Sequence, residues 1–191
     1  MPLPPPKSRQ LLHRRQYDIQ GFLRDDGLFD IEAHMHDQKD YDFTSAHHGK
    51  VEAGMFVHDM LVRLTMDAQL QIHAVDVAMD STPFRQCPMI TGQYQNLVGE
   101  RIAPGWTRRI KKLFASVQGC THVTELLIPM ATVAIQTIFA EEAKKRHAKI
   151  TDTPYSPGTK SRSVGGCHAL DPRGAVVKEL WPEQYRADAQ S

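Results

Sequence analysis

The sequence predicts an α+β domain: an antiparallel sheet of about four to six strands followed by three helices packed on one of its faces. Three observations predict it. Residues 13–36 and 57–79 carry the period-2 alternation of half-buried strands, with a polar stretch between them. From Pro88 onward the punctuation changes to helix starts and stops at Pro88, Pro104-Gly105 and Gly119. Strands first and helices after is the order expected when helices gather on one face of an antiparallel sheet.

The elements follow in order. Tyr17, Ile19 and Phe22 precede the turn Asp25-Asp26-Gly27, and Leu28, Phe29 and Ile31 follow it, so residues 13–36 read as a hairpin. Residues 37–54 are polar and without period, and read as a long loop, a candidate lid. From Val57, the even positions His58, Met60, Val62, Leu64 and Met66 form the more apolar face of a strand. After a turn at Asp67-Ala68-Gln69 the next strand runs from Leu70 to about Met79. Its apolar phase switches from Leu70, Ile72 and Ala74 to Val75, Val77 and Met79, which predicts a bulge near residue 75.

Pro88 suits the first turn of a helix reaching about Glu100, with Cys87 at its N-cap. Trp106 to Val117 reads as a basic amphipathic helix ended by Gly119. A long helix then runs from Cys120-Thr121 to about Lys149, with a bend at Pro129. The expected organisation is a disordered arm over 1–12, a single core domain over 13–149, a Pro/Gly/Ser/Thr linker over 150–166 and a C-terminal hairpin or tail over 167–191 that packs back on the core.

Composition bounds the function. A chain of 191 residues buries a core without cross-links. Its 3 cysteines, odd in number and widely spaced, point away from a disulfide framework and toward a reducing, cytoplasmic compartment. With 23 basic and 22 acidic side chains the net charge is +1, so no one-signed field selects a nucleic acid. The basic runs near Arg108 and Lys144 lie toward helix ends, where cations complement the dipole. The apolar stretch from Leu126 to Phe139 is interrupted by polar residues and short for a bilayer, so no membrane partner is expected. A small-molecule substrate is, and homo-oligomerisation stays open.

The chemistry gathers on cysteine and histidine. Cys87 and Cys120 fall at predicted helix N-termini, where free N–H groups and the dipole favour a thiolate, at once a nucleophile and a metal ligand. Cys120 is followed by His122, and His122 by Glu125 one turn on, so an imidazole and a carboxylate share a side of the first helical turn. His58-Asp59 opens a strand at a sheet end and either side chain can turn toward that junction. His47 and His48 on the long loop and Cys167-His168 beyond the linker are further candidates, with packing or solvation as the plain alternative for each. His13, His34, His36, His73 and His147 read as solvated or packing residues.

The segments DDGLFDIE, VHDMLVRLT, PFRQCPMI, RIAPGWT, GCTHVTELL and CHAL resemble the bacterial family catalogued as domain of unknown function 2889, over about 13–185. A more distant resemblance is to the NifU N-terminal type of iron-sulfur cluster scaffold. FRQCPMITGQYQNLVGE is similar to that family's strand-to-helix cysteine segment and QGCTHVTELLIPMATVAI to its final helix. The resemblance implies a NifU-like fold with ligands at Cys87 and Cys120, and at His58 or Asp59 from the early sheet loop. No cysteine stands at that early loop and the His-Cys order is replaced by Cys-x-His, so a thiolate-rich cluster lacks ligands. Two thiolates with imidazole and carboxylate suit a single zinc, or iron, in a tetrahedral site.

The expectation is therefore a metal-dependent hydrolase or lyase acting on a small-molecule carbonyl or phosphoryl group. Cys87, Cys120 and His58 or Asp59 would hold the ion. His122 would be a fourth ligand or, with Glu125, the proton-transfer pair. The alternatives are an iron-sulfur or sulfur-transfer scaffold and a non-catalytic module with a structural zinc. No phosphate loop, dinucleotide fingerprint or nucleophile elbow names a substrate.

Overall fold

The computed structural model describes residues 3–147, 160, 161 and 163–187. The chain forms two compact units, Met1–Ala143 and Lys144–Ser191.

In the first unit, β1 (His13–Leu23) and β2 (Phe29–Lys39) make the expected hairpin, in register from His13↔Lys39 to Leu23↔Phe29. Gly27 takes a positive φ of 85° in the turn, where a Cβ would be strained. The loop expected over 37–54 is corrected: β2 continues through Asp37 to Lys39, and β3 (Phe43–Ser45) with β4 (Gly49–Val51) forms a small two-stranded sheet. Polar composition concealed these strands, because short strands with solvated faces need no apolar alternation.

β5 (Phe56–Met66) and β6 (Ile72–Ser81) complete an antiparallel sheet of four strands ordered β1-β2-β5-β6. Three register shifts punctuate it. Thr65 pairs with Ala74 but Met66 with Ile72, so His73 is the extra residue of the bulge expected near 75. Asp37 pairs with His58 but Gln38 with Phe56, so Val57 is extra. Met60 pairs with Met79 but Asp59 with Ser81, so Asp80 is extra. Two bulges thus flank the start of β5, where bulges commonly re-aim side chains.

Phe29, Ile31, Ala33 and Met35 of β2 and Met60, Val62, Leu64 and Met66 of β5 lie on one face and are buried. The helices supply the other half of that core. A 3₁₀-helix over Cys87–Leu97 contributes Tyr94 and Leu97, and α1 (Trp106–Leu113) contributes Trp106 and Ile110. The long α2 (Thr121–His147) contributes Val123, Leu126, Leu127, Met130, Ala131, Ala134 and Ile138. Fusing a sheet face to helical stripes in one apolar cluster is what stabilises a two-layer domain. The opposite face carries Asp30, Glu32, His34 and His36 of β2 in partial exposure.

Two helices differ from expectation. The first is 3₁₀ rather than α, with Gln86 before it and Cys87 inside it, so Cys87 is not an N-cap. The basic helix stops at Leu113, and Ser116–Gln118 forms a separate 3₁₀ turn, with Ser116 at φ 53°. α2 runs through Pro129, which lies on the exposed side and whose missing N–H costs only one internal hydrogen bond. Helical continuity from Thr121 to Lys145 also makes a segment long and apolar enough, by length and composition, to cross a membrane. The interrupted stretch read from sequence was shorter. Its buried residues face the sheet in the apolar cluster, while Glu125, Thr132 and Gln136 are exposed.

Close packing of α2 on β1 depends on Gly21. A Cβ there would overlap Thr137 Oγ1 and lie 2.8 Å from Thr137 Cβ. Within the second unit, the described part of 150–191 contains a 3₁₀ turn (His168–Leu170), α3 (Ala175–Leu180) and a 3₁₀ turn (Pro182–Gln184). The expected C-terminal hairpin is therefore replaced by helical turns. Val176 and Val177 suggest a strand, but the flanking Ala175, Lys178, Glu179 and Leu180 are good helix formers. Most of the expected linker lies outside the described residues.

Candidate metal centre

At the end of the sheet where β1 begins, one row of side chains crosses three strands. Arg15 of β1 pairs with Asp37 of β2, and Asp37 with His58 of β5. The odd positions of β2 point to the helices, so Asp37 continues the series Phe29, Ile31, Ala33, Met35 and is buried as they are, at 1% exposure. A buried carboxylate needs partners. Arg15 donates from Nε (3.0 Å) and Nη2 (2.5 Å) to Asp37 Oδ2, and His58 Nδ1 lies 2.9 Å from Oδ1. Since a carboxylate only accepts, His58 donates from Nδ1, and its Nε2 is left facing away from that bond. Burial alone would raise the Asp37 carboxyl, but the hydrogen bonds and charges of Arg15 and His58 outweigh it and hold the pKa below the usual range.

His122, in the first turn of α2, lays its ring on that of His58, with centroids 3.8 Å apart. Burial first, then the nearby His58 and Arg15, lowers the His122 pKa from 6.5 to about 4, with Asp37 opposing. The imidazole is therefore neutral near pH 7, the form that binds metals and accepts protons. Its placement rests on how α2 starts. Tyr94, fully buried, accepts the Cys120 N–H (2.9 Å), donates to the Cys120 carbonyl (3.0 Å) and sits 3.0 Å from Thr124 Oγ1. That clamp fixes the helix N-terminus, which has otherwise unpaired N–H groups. It also holds Cys120 so that Sγ lies 3.9 Å from His122 Nδ1.

Among the described residues, Asp37, His58 and His122 form the one group of three side chains whose ligand atoms all lie within 4.8 Å of one another. Of the residues singled out from sequence, His58 and His122 are in this group and Cys120 borders it. Glu125 stands at the rim, half exposed, 3.4 Å from Arg15 Nη1. Asp59 follows His58 and so points to the other face, where its Oδ1 lies 2.5 Å from His34 Nε2. Cys87 is a half-buried free thiol at the start of the 3₁₀-helix and outside the group. His47 packs edge-on to Phe84, and His48 lines a cleft of about 350 Å³ with Phe43, Lys50 and Phe56. Cys167 and His168 belong to the second unit, with Cys167 exposed.

Asp37 and Arg15 were not found from sequence. The signal for Asp37 was present, as the next odd position after Met35, and was lost when residues 37–54 were read as loop. Arg15 carries no such signal, because one arginine among four basic residues in 7–15 looks solvated. Trp106 of α1 lies in the core and donates to the Leu127 carbonyl at 2.9 Å, while Arg109 pairs with Glu100.

No curated protein and no solved structure matches the chain. Residues 13–136 match the family model described as "Protein of unknown function (DUF2889)", a span that contains Arg15, Asp37, His58, Cys120, His122 and Glu125. The chain, matched over more than half its length from the first residue of β1 into α2, belongs to that family.

Proposed function

We propose that the protein is a metal-dependent enzyme whose single ion sits among Asp37, His58 and His122, and that it performs hydrolytic or lyase chemistry on a small-molecule carbonyl or phosphoryl substrate. The observation that carries this reading is the convergence of two imidazoles and a carboxylate, from β2, β5 and α2, within 4.8 Å. A tetrahedral ion at about 2.1 Å holds its ligands roughly 3.4 Å apart, a closure that side-chain rotation supplies. Two nitrogens and an oxygen, with the Cys120 thiol at the border, suit zinc, with iron as the alternative. When bound, the ion would act as a Lewis acid toward a carbonyl or phosphoryl oxygen. Asp37 would orient His58, and neutral His122 would bind the ion or move a proton.

A second reading rests on one specific observation. Both Asp37 oxygens are already engaged, by Arg15 and by His58, as in a metal-free acid–base site where a carboxylate orients one histidine. A sulfur or iron-sulfur scaffold draws less support, because Cys87 lies outside the group. A NifU-like ancestry is retained as a proposal on the order of strands and helices alone, as are a cytoplasmic setting, suggested by the free thiols, and self-association.

Elemental analysis of protein purified without an affinity metal tests the reading. The expected result is about one equivalent of zinc or iron per chain, lost in the His58→Ala/His122→Ala double variant and kept in Cys87→Ser. Metal-free wild type, or metal that survives the double variant, would refute it and favour the acid–base site. If the stripped protein unfolds by circular dichroism, the ion is structural rather than catalytic.

A further inference from the structure

Resting on the same site, we propose that it takes a small anion, a carboxylate or phosphate group, and that this group binds the outer edge of Arg15 in the place Glu125 now occupies. Three observations carry it. Arg15 is oriented by a buried partner: Nε and Nη2 both grip Oδ2 of Asp37, whose side chain is 2% exposed, so the guanidinium plane is set from inside the protein. Its other terminal nitrogen, Nη1, belongs to a side chain 29% exposed and has a long 3.4 Å contact with Glu125, itself 50% exposed, while Tyr17 is a further neighbour of the guanidinium. An arginine fixed on one edge and loosely held on the other is prepared for planar, two-point recognition of an oxyanion. His13 adds a third feature, with Nε2 3.9 Å from the same Asp37 oxygen and its ring partly in solvent, so a second basic side chain borders the carboxylate that orients Arg15.

Placement makes this a substrate contact rather than a remote one. Arg15 and His58 grip the same Asp37 carboxylate, and the His122 ring lies 3.8 Å from that of His58, so an anion on Nη1 binds at the same end of the sheet as the His58–His122 pair. The charges also fit. Arg15, Asp37 and Glu125 sum to about −1, and a divalent ion turns that to about +1, which favours an anionic ligand once the ion is bound. Glu125 then acts as a stand-in that fills the subsite with this chain's own carboxylate until a ligand replaces it. Holding a substrate by a group remote from the reacting bond is how binding is converted into orientation.

The test is calorimetric titration of zinc-loaded full-length protein, freed of excess zinc, with inorganic phosphate and separately with acetate. Glu125→Gln removes the competing charge and is expected to tighten binding roughly two- to fivefold, the worth of an exposed ion pair. Arg15→Lys keeps the charge on Asp37 but loses the fixed fork, and is expected to weaken binding about tenfold. Tightening with acetate as well as phosphate identifies carboxylate substrates, and tightening with phosphate alone identifies phosphorylated ones. Unchanged affinities in Glu125→Gln, or undiminished binding in Arg15→Lys, overturns the proposal. Zinc content measured on the same samples separates the two claims: zinc retained with no anion bound rejects only the subsite, and anion bound without zinc rejects only the metal.

Discussion

A histidine held neutral beside a carboxylate held ionised gives the site two acid transitions of different origin. His122 has its pKa lowered from 6.5 to about 4. Below pH 6.5 the unfolded chain takes up a proton that the folded one refuses, so stability falls as pH drops through the window from 6.5 to 4. Partial exposure screens the effect to about 1–2 kcal/mol. Asp37 behaves differently, since its carboxyl is depressed from 3.8 and its contribution is intact above that value and lost only as pH falls further. In urea titrations of chelator-treated protein, the wild type should lose that 1–2 kcal/mol between pH 6.5 and 4 and His122→Gln should not. Parallel slopes for the two proteins would contradict the assignment. At this scale the sequence exposed the imidazoles but not their partners. His58 and His122 stood out because the chemistry of histidine is recognisable in isolation. Asp37 matters only through its burial, and burial of an acid at the end of an apolar series is invisible until the strand is known to continue.

Between elements, the α2–β1 contact is the tightest constraint. Gly21 leaves no room for a side chain under Thr137, so Gly21→Ala is expected to cost about 1–3 kcal/mol by overpacking. Adding Thr137→Ala should recover part of that loss and not all, because the Thr137 Cβ stays within 2.8 Å. Thermal melts of the single and double variants check this, and additive losses would show that the two residues do not meet. Because α2 also carries His122, a tilt of the helix at Thr137 should weaken metal binding at the far end of the same sheet. Element boundaries were legible where the chain punctuates strongly. Gly27 and Gly105 mark real ends, Gly119 closes the short 3₁₀ turn rather than the basic helix, and the period-2 runs of β1, β2 and β5 are real strands. The β3–β4 hairpin was hidden by polar strands, and α3 by two adjacent valines whose β preference was overridden by their neighbours. The 3₁₀ character of Cys87–Leu97 has no pattern in sequence that separates it from an α-helix.

For the molecule as a whole, sheet and helices of the first unit share one apolar cluster, so they should unfold together. Its two tryptophans offer a test, since Trp106 is buried in that cluster and Trp181 belongs to the second unit. In a Trp181→Phe protein, the urea transition seen by Trp106 fluorescence should coincide with loss of far-ultraviolet circular dichroism from the sheet. A separated midpoint would mean that helices and sheet are not one cooperative body. The α+β architecture was legible because order along the chain already separates strands from helices. The division at Ala143 was not, since α2 runs across it without a break in helical pattern. The extra residue at Val57 has a consequence for how such a site tolerates change. Side-chain direction along a strand has only two values, so one inserted residue acts as a change of sign: Phe56 stacks on His36 of the opposite face, although its parity matches His58. The aim of His58 is thereby referenced to Met60, Val62 and Leu64 behind it and uncoupled from the chain before it. Lengthening or shortening the β3–β4 segment would leave the imidazole pointing where it does, a form of insulation that lets one end of the strand vary while the other keeps its chemistry.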